Sequence, residues 1–225
     1  MPGKTKKHFG TKRQEMAHKA DSLCKMKTCH FSKQEIERLL QLFKEFTKTA
    51  PNEVKRGKGG IDRTKFRDIL HQHFDMTDDV LMDKVFKAFD LDNDGYVSEE
   101  EWVLGMSIFL KGAIDEQSRF CFGVYSMRGE DGYISREDMY LLLKNCLVQH
   151  QQEEDAEEMQ KDLVEMALKK IDFDHDGRVS VEDYMKSVAE ESLLIEALGP
   201  CLPNTKTRES FLELIADDKQ KKHRF

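Results

Sequence analysis

Apolar side chains recur three and four residues apart through most of this chain, the repeat of helices that bury one face. In FSKQEIERLLQLFKEF, Ile36, Leu39, Leu40, Phe43 and Phe46 form one apolar stripe. Ser32 and Glu35 make a capping box at its start, and Phe31 is placed to staple onto Ile36. A Gly- and Lys-rich break, NEVKRGKGG, follows, and RTKFRDILHQHF then returns to helical spacing. His71 and His73 stand two apart there, so a helix sends them to different faces and no paired metal site is expected.

This helix, loop, helix unit recurs three more times. DVLMDKVFKAF and EEEWVLGMSIFL flank the loop of the second copy. EQSRFCFGVY, SMRGEDGYISRED and MYLLLKNCLV form the third, and AEEMQKDLVEMALKKI, DFDHDGRVSVED and YMKSVAEESLLIEAL the fourth. A spacing of roughly 36 to 45 residues would also suit a solenoid of helical pairs. A solenoid, however, gives no reason for aspartates at fixed offsets in the loops. Four units paired into two lobes is the better architecture, and the fold class expected is all-α. Gly199 and Pro200 stop the last helix. TKTRESFLELIADD beyond them can form a short helix with Phe211, Leu214 and Ile215 on one side, while VQHQQEEDAEE reads as a solvated connection. The expected divisions are an arm at 1–30, a first pair at 31–112, a second at 113–198 and a tail at 199–225.

The loop DLDNDGYVSEEE at 90–101 crowds like charges in a way only a cation would relieve. It fits the D-x-[DN]-x-[DN]-G-x5-E pattern of an EF-hand calcium loop. Asp90, Asp92 and Asp94 supply carboxylates at positions 1, 3 and 5, and Gly95 permits the sharp turn at position 6. Tyr96 offers its carbonyl, Ser98 acts through water and Glu101 can clamp with both oxygens. Hard oxygen ligands in this number select Ca2+ over softer metals. Ser98 and Glu101 also make a capping box for the next helix, which is compatible with binding but leaves the three aspartates unexplained.

The loop at 172–183 repeats the offsets with Asp172, Asp174, Asp176, the Arg178 carbonyl, Ser180 and Asp183 around Gly177. Its last ligand is Asp, one methylene shorter than Glu, so Mg2+ is expected to compete better here than at 90–101. The third loop keeps only Asp131, the Tyr133 carbonyl, Ser135 and Asp138 in register, which predicts weak binding at most. In the first unit Arg56 and Lys58 fall on ligand positions, so that unit takes no cation and serves as a packing partner. Ile61 is expected to pair with Val97, and Ile134 with Val179, as short antiparallel β contacts joining the loops two by two.

Composition narrows the function classes. Of 225 residues, 39% are hydrophobic and 35% charged, which suits a soluble helical protein. No apolar run approaches a membrane span. Pro2 stands where N-myristoylation needs Gly, and KKHRF carries no prenylation Cys, so no lipid anchor is expected. Five scattered cysteines suit reduced thiols in a cytoplasmic setting, and Cys24, Cys29 and His30 lack the second ligand pair that zinc requires. Residues 1–33 carry nine Lys and Arg against two Asp and Glu, while the remainder carries 27 against 41. A basic arm thus precedes an acidic body. The arm can grip an acidic surface such as a microtubule or act as a solvated tail, and the acidic body argues against nucleic acid as the main partner. No phosphate-cradling Gly loop, nucleophile elbow or zinc-protease motif is present, so no enzyme is expected.

At finer grain FRDILHQHFDMTDDVLMDKVFKAFDLDNDG, MYLLLKNCLV, LKKIDFDHDG and LLIEALGPCLPN resemble the calaxin family, relatives of the neuronal calcium sensors. The resemblance implies four EF-hand units in two lobes, location in the axoneme of cilia or flagella, and calcium-dependent association with outer-arm dynein that regulates motility. SMRGEDG departs from the Asp-initiated third loop of that family.

A sensor opens an apolar groove when the position-12 carboxylate and its helix move. Trp102, Val103, Met106 and Phe109 are the groove candidates of the first lobe, and Met139, Leu143, Leu147, Met166 and Met185 those of the second. Residues 206–215 are expected to cover the second groove. Two other readings share the loops: a calcium-sensing regulatory subunit of a phosphatase, kinase or membrane protein, and a calcium buffer whose lobes barely open.

Overall fold

The computed structural model describes residues 5–48, 59–126, 132–144 and 153–216. Its helices are α1 (Thr5–Leu23), α2 (Lys33–Lys48), α3 (Arg63–Phe74), α4 (Asp79–Phe89), α5 (Glu99–Lys111), α6 (Ile114–Tyr125), α7 (Arg136–Leu143), α8 (Glu153–Ile171), α9 (Val181–Glu190) and α10 (Thr205–Ile215). Two-residue strands β1 (Ile61–Asp62) and β2 (Tyr96–Val97) and a 3-10 turn at Ser192–Glu196 complete the elements among the described residues. The fold is all-α, and among the described residues no helix is long and apolar enough to cross a membrane.

The chain divides into two compact units. The first contains residues up to Asp75, Phe89–Lys111 and the segment from Asn204 onward; the second contains Met76–Ala88 and Gly112–Pro203. Against the divisions expected at 1–30, 31–112, 113–198 and 199–225, the arm and the segment from Asn204 fall in the first unit, and 76–88 and 199–203 in the second. Most of α4 joins the second unit, where Leu81 lies so close to Gly199 that a Cβ there would stand 2.8 Å from Leu81 Cδ1. Gly199 has φ 126°, a region closed to L side chains, so it both ends the preceding turn and admits Leu81.

In the first unit α2 starts as its capping box dictates: Ser32 N–H donates to Glu35 Oε2 at 2.8 Å, and Glu35 N–H to Ser32 Oγ at 3.4 Å. Burial pushes the Glu35 carboxyl up, but Lys111 Nζ at 2.7 Å and the Ser32 bonds outweigh it and hold it below its ordinary range. Phe66, Phe74, Phe89, Trp102 and Phe109 form the aromatic centre, with Phe66 edge-on to Phe89 at 4.9 Å and Phe74 edge-on to Phe109 at 5.2 Å. β1 and β2 pair antiparallel, Ile61 opposite Val97, as their apolar positions predict.

Residues 13–30 are not a solvated tail. α1 packs on α2, burying Ala20 and Leu23, and Lys19 Nζ meets Glu99 Oε2 at 2.8 Å. His30 N–H donates to Ser107 Oγ at 2.7 Å, fixing the connection between α1 and α2 to α5. α10, expected over the second groove, belongs to the first unit. It packs on α2 and α3 of the first unit, where Phe211 and Ile215 are buried and the Phe211 ring lies 5.0 Å from Phe74. Phe74 offers an aromatic partner there, and Asn204 caps the helix through the Thr207 N–H.

The second unit joins α6 to α9, α7 to α8 and α8 to α9. Its loops meet in one bridge, Ile134 N–H to Val179 O at 2.9 Å and Val179 N–H to Ile134 O at 3.0 Å. Phe122, Tyr125 and Tyr184 sit in its interior.

Candidate metal centres

The loop at 90–101 is wound by its own carboxylates. Asp90 Oδ1 accepts from the Asp94 N–H at 3.0 Å and Oδ2 from the Gly95 N–H at 2.9 Å. Asp92 Oδ1 accepts from Asp94 N–H, and Asp94 Oδ1 from Tyr96 N–H at 2.9 Å. Asn93 and Gly95 take positive φ, 55° and 86°, which turn the chain back and bring the three acids together. The ligand oxygens of Asp90, Asp92 and Asp94 lie within 4.8 Å of one another. Burial pushes the Asp90 carboxyl above its ordinary range, and the charges of Glu101 and Asp94 add to it against the two N–H bonds.

Glu101 closes this loop on itself. Its Oε2 accepts from the Ser98 N–H at 2.8 Å, completing the predicted cap. Its Oε1 reaches back ten residues to the Leu91 N–H at 2.8 Å and the Asp92 N–H at 3.3 Å. The carboxylate therefore stands at the loop's entrance while anchored in the first turn of α5.

The loop at 172–183 repeats the winding. Gly177 N–H donates to Asp172 Oδ2 at 3.0 Å, and Arg178 N–H to Asp176 Oδ1 at 2.8 Å. Asp172, Asp174 and Asp176 again bring oxygens within 4.8 Å of one another. Asp172 Oδ1 is buried and finds no hydrogen-bond partner among the described residues. A buried carboxylate oxygen left bare is costly, and a hard cation is the partner that fits this all-oxygen donor set.

The two loops part company at position 12. Asp183 Oδ2 accepts from Ser180 N–H at 3.1 Å and Ser180 Oγ–H at 2.6 Å, both local to its own helix cap. The shorter side chain does what a cap requires and makes no bond to the loop's entrance like that of Glu101. We expect Asp183→Glu to raise calcium affinity at 172–183 and reduce magnesium competition there, read as separate isotherms by calorimetry in buffers with and without Mg2+. Equal calcium-to-magnesium selectivity at both loops of the unaltered protein would contradict this.

The other candidates are placed as follows. Asp131 and Leu147 lie outside the described residues. Tyr133 and Ser135 flank the Ile134 bridge, and Asp138 caps α7 through Ser135 N–H at 2.9 Å. Trp102, Val103, Met106 and Phe109 are buried in the first unit. Met139 and Leu143 are buried in the second, Met185 is half-buried and Met166 is exposed on α8. Two contacts went unforeseen: Lys19 against Glu99 beside the first loop, and the Arg178 guanidinium over the Tyr133 ring at 4.4 Å. The second had a signal, because the antiparallel pairing of Ile134 with Val179 sets residue 133 opposite 180 and leaves 178 its diagonal neighbour on the same face.

Comparison with known proteins agrees with this geometry. Two family models, each described as an EF-hand domain pair, match residues 57–103 and 128–189. Calaxin of Xenopus laevis is 47% identical over 207 residues, covering 90% of this chain and 98% of that protein. Calaxin of Homo sapiens is 47% identical over 196 residues, covering 85% and 90%. Guanylyl cyclase-activating protein 1 of Gallus gallus is 30% identical over 144 residues, covering 63% and 68%. With likeness to calaxins along most of its length and two acidic loops built to hold Ca2+, the chain belongs to the calaxin family of calcium-binding EF-hand proteins.

Proposed function

We propose that the protein is a calcium sensor of the ciliary or flagellar axoneme that binds outer-arm dynein and regulates motility. The observation that carries the sensing half is the double attachment of Glu101, to the entrance of its loop and to the first turn of α5. Bound Ca2+ supplies the positive centre that offsets the crowded carboxylates. Asp90, Asp92, Asp94 and Glu101 would hold it, and Glu101 would give up the Leu91 and Asp92 N–H groups to do so, drawing α5 with it. Trp102, Val103, Met106 and Phe109 ride on that helix, so its movement repacks the aromatic centre and uncovers apolar surface for a partner. Asp183 plays the same part for α9 with a shorter lever. The axonemal target is the one implied by the calaxin resemblance.

The test is a pull-down from demembranated cilia with the full chain as bait, in excess calcium or in chelator with magnesium. Recovery of outer-arm dynein components in amounts that differ between the two conditions is the expected result. Equal recovery would leave a docking role without calcium gating. No dynein in either would overturn the axonemal reading and favour a regulatory subunit of a phosphatase, kinase or membrane protein; the relative at 30% identity is named for activating guanylyl cyclase.

A further inference from the structure

Neither loop nor helix cap uses the two buried thiols of the second unit. Cys121 on α6 and Cys201, just past Gly199 and Pro200, are both 0% exposed. Their sulfurs lie 3.1 Å apart, about 1 Å beyond a covalent S–S bond. They are 80 positions apart in sequence, so the fold alone brings them together. Of the other described cysteines, Cys24 is exposed and Cys29 half-buried. Tyr125 Oη stands 3.3 Å from Cys201 Sγ and donates to the Gly199 carbonyl, which pins the segment that carries Cys201.

We infer that Cys121 and Cys201 form a reversible disulfide site that locks the second unit. The bond would tie α6, the helix entering the third loop, to the segment that follows α9 and the 3-10 turn. α6 packs on both α9 and that turn, so the tie would hold together the parts that a lobe opening draws apart. Nothing in this inference depends on the identity of the partner.

Burial pushes the Cys121 thiol well up, so in the closed unit it stays protonated and inert to oxidants. Oxidation therefore proceeds through a transient opening that admits a small peroxide. One thiolate attacks the peroxide oxygen, forming a sulfenic acid and releasing hydroxide, which takes a proton to become water. The second thiol then displaces the sulfenic oxygen as water and closes the disulfide. Two thiols lose two electrons and two protons, hydrogen peroxide gains both, and two waters leave. A dithiol reductant reverses the bond by thiol–disulfide exchange.

The full chain is incubated with hydrogen peroxide, its remaining thiols are alkylated in denaturant, and it is digested and mapped by mass spectrometry. The expected product is a linked pair of peptides carrying residues 121 and 201. With it, deuterium exchange in peptides from 114–125 and 192–203 should slow several-fold and recover on adding dithiothreitol. Cys121→Ser and Cys201→Ser should each remove the linked pair. Because the mapping is done on the unaltered chain, a variant that fails to fold does not spoil the test. Recovery of both residues alkylated after peroxide has consumed Cys24 and Cys29 would overturn the inference. So would a linked pair that leaves deuterium exchange unchanged.

Discussion

Glu101→Gln should abolish calcium binding at 90–101 in the sensor range while leaving 172–183 intact. The amide keeps an oxygen that can accept from the Leu91 and Asp92 N–H groups, so the metal-free loop should hold its shape. It loses the negative charge and the two-oxygen clamp. Ligand charge and clamp geometry separate sensors at ~10⁻⁷–10⁻⁵ M from sites at ~10⁻⁴ M or weaker, so the expected loss is at least about tenfold and can exceed a hundredfold. Stability should fall by only about 1 kcal/mol, since the loop bonds survive and the loss is the Ser98 N–H cap, which the amide nitrogen cannot accept. Calorimetry should show one binding event gone. Trp102, the one tryptophan, follows Glu101 directly on α5, so its emission should lose its response to calcium. A retained emission change would mean that Glu101 does not move α5.

The second large effect concerns the tail helix. Phe211 is 2% exposed, with Phe74 at 5.0 Å on one side and His73 edge-on at 5.6 Å. Burial pushes the His73 imidazole below its ordinary range, so the ring stays neutral and serves as packing for Phe211 and, at 5.6 Å, for Phe46. Phe211→Ala removes a buried ring from this stack and should cost the first unit about 3–5 kcal/mol. Urea unfolding followed through Trp102 should move to lower denaturant, because that side chain reports on the first unit. A loss under about 1 kcal/mol, the size of an ordinary surface change, would show that α10 contributes little to the first unit.

Much of this could be read from local chemistry. Ser32 with Glu35, Ser98 with Glu101, and Ser180 with Asp183 are three-residue relations, and each forms the bonds its spacing dictates. The pairing of Ile61 with Val97 and of Ile134 with Val179 followed from equal positions in twinned loops. The acids at 90, 92 and 94, and at 172, 174 and 176, converge because Gly95 and Gly177 allow the turn. What stayed hidden depends on distance along the chain. Nothing near Phe211 says that its seat is Phe74, more than a hundred residues earlier, and a tail after the second pair naturally suggests cover for that pair. α1 was hidden for another reason: its buried residues include the small Ala20, and its basic composition reads as a solvated arm. The cysteine pair is likewise invisible in sequence, since Cys121 and Cys201 share no local pattern.

The strand pair in the first unit yokes the loop that carries three acids to Ile61 and Asp62, which follow Arg56 and Lys58 in sequence, two residues outside the described ones. Twinned loops that both load sharpen each other, because the first ion orders what the second would otherwise have to order. With Arg56 and Lys58 at ligand positions, no second event is expected here. Occupancy of the first unit should therefore follow simple saturation, with no threshold. Such a unit would behave as a dial rather than a trigger, and a partner would read from it how much calcium is present, continuously, through a single ion.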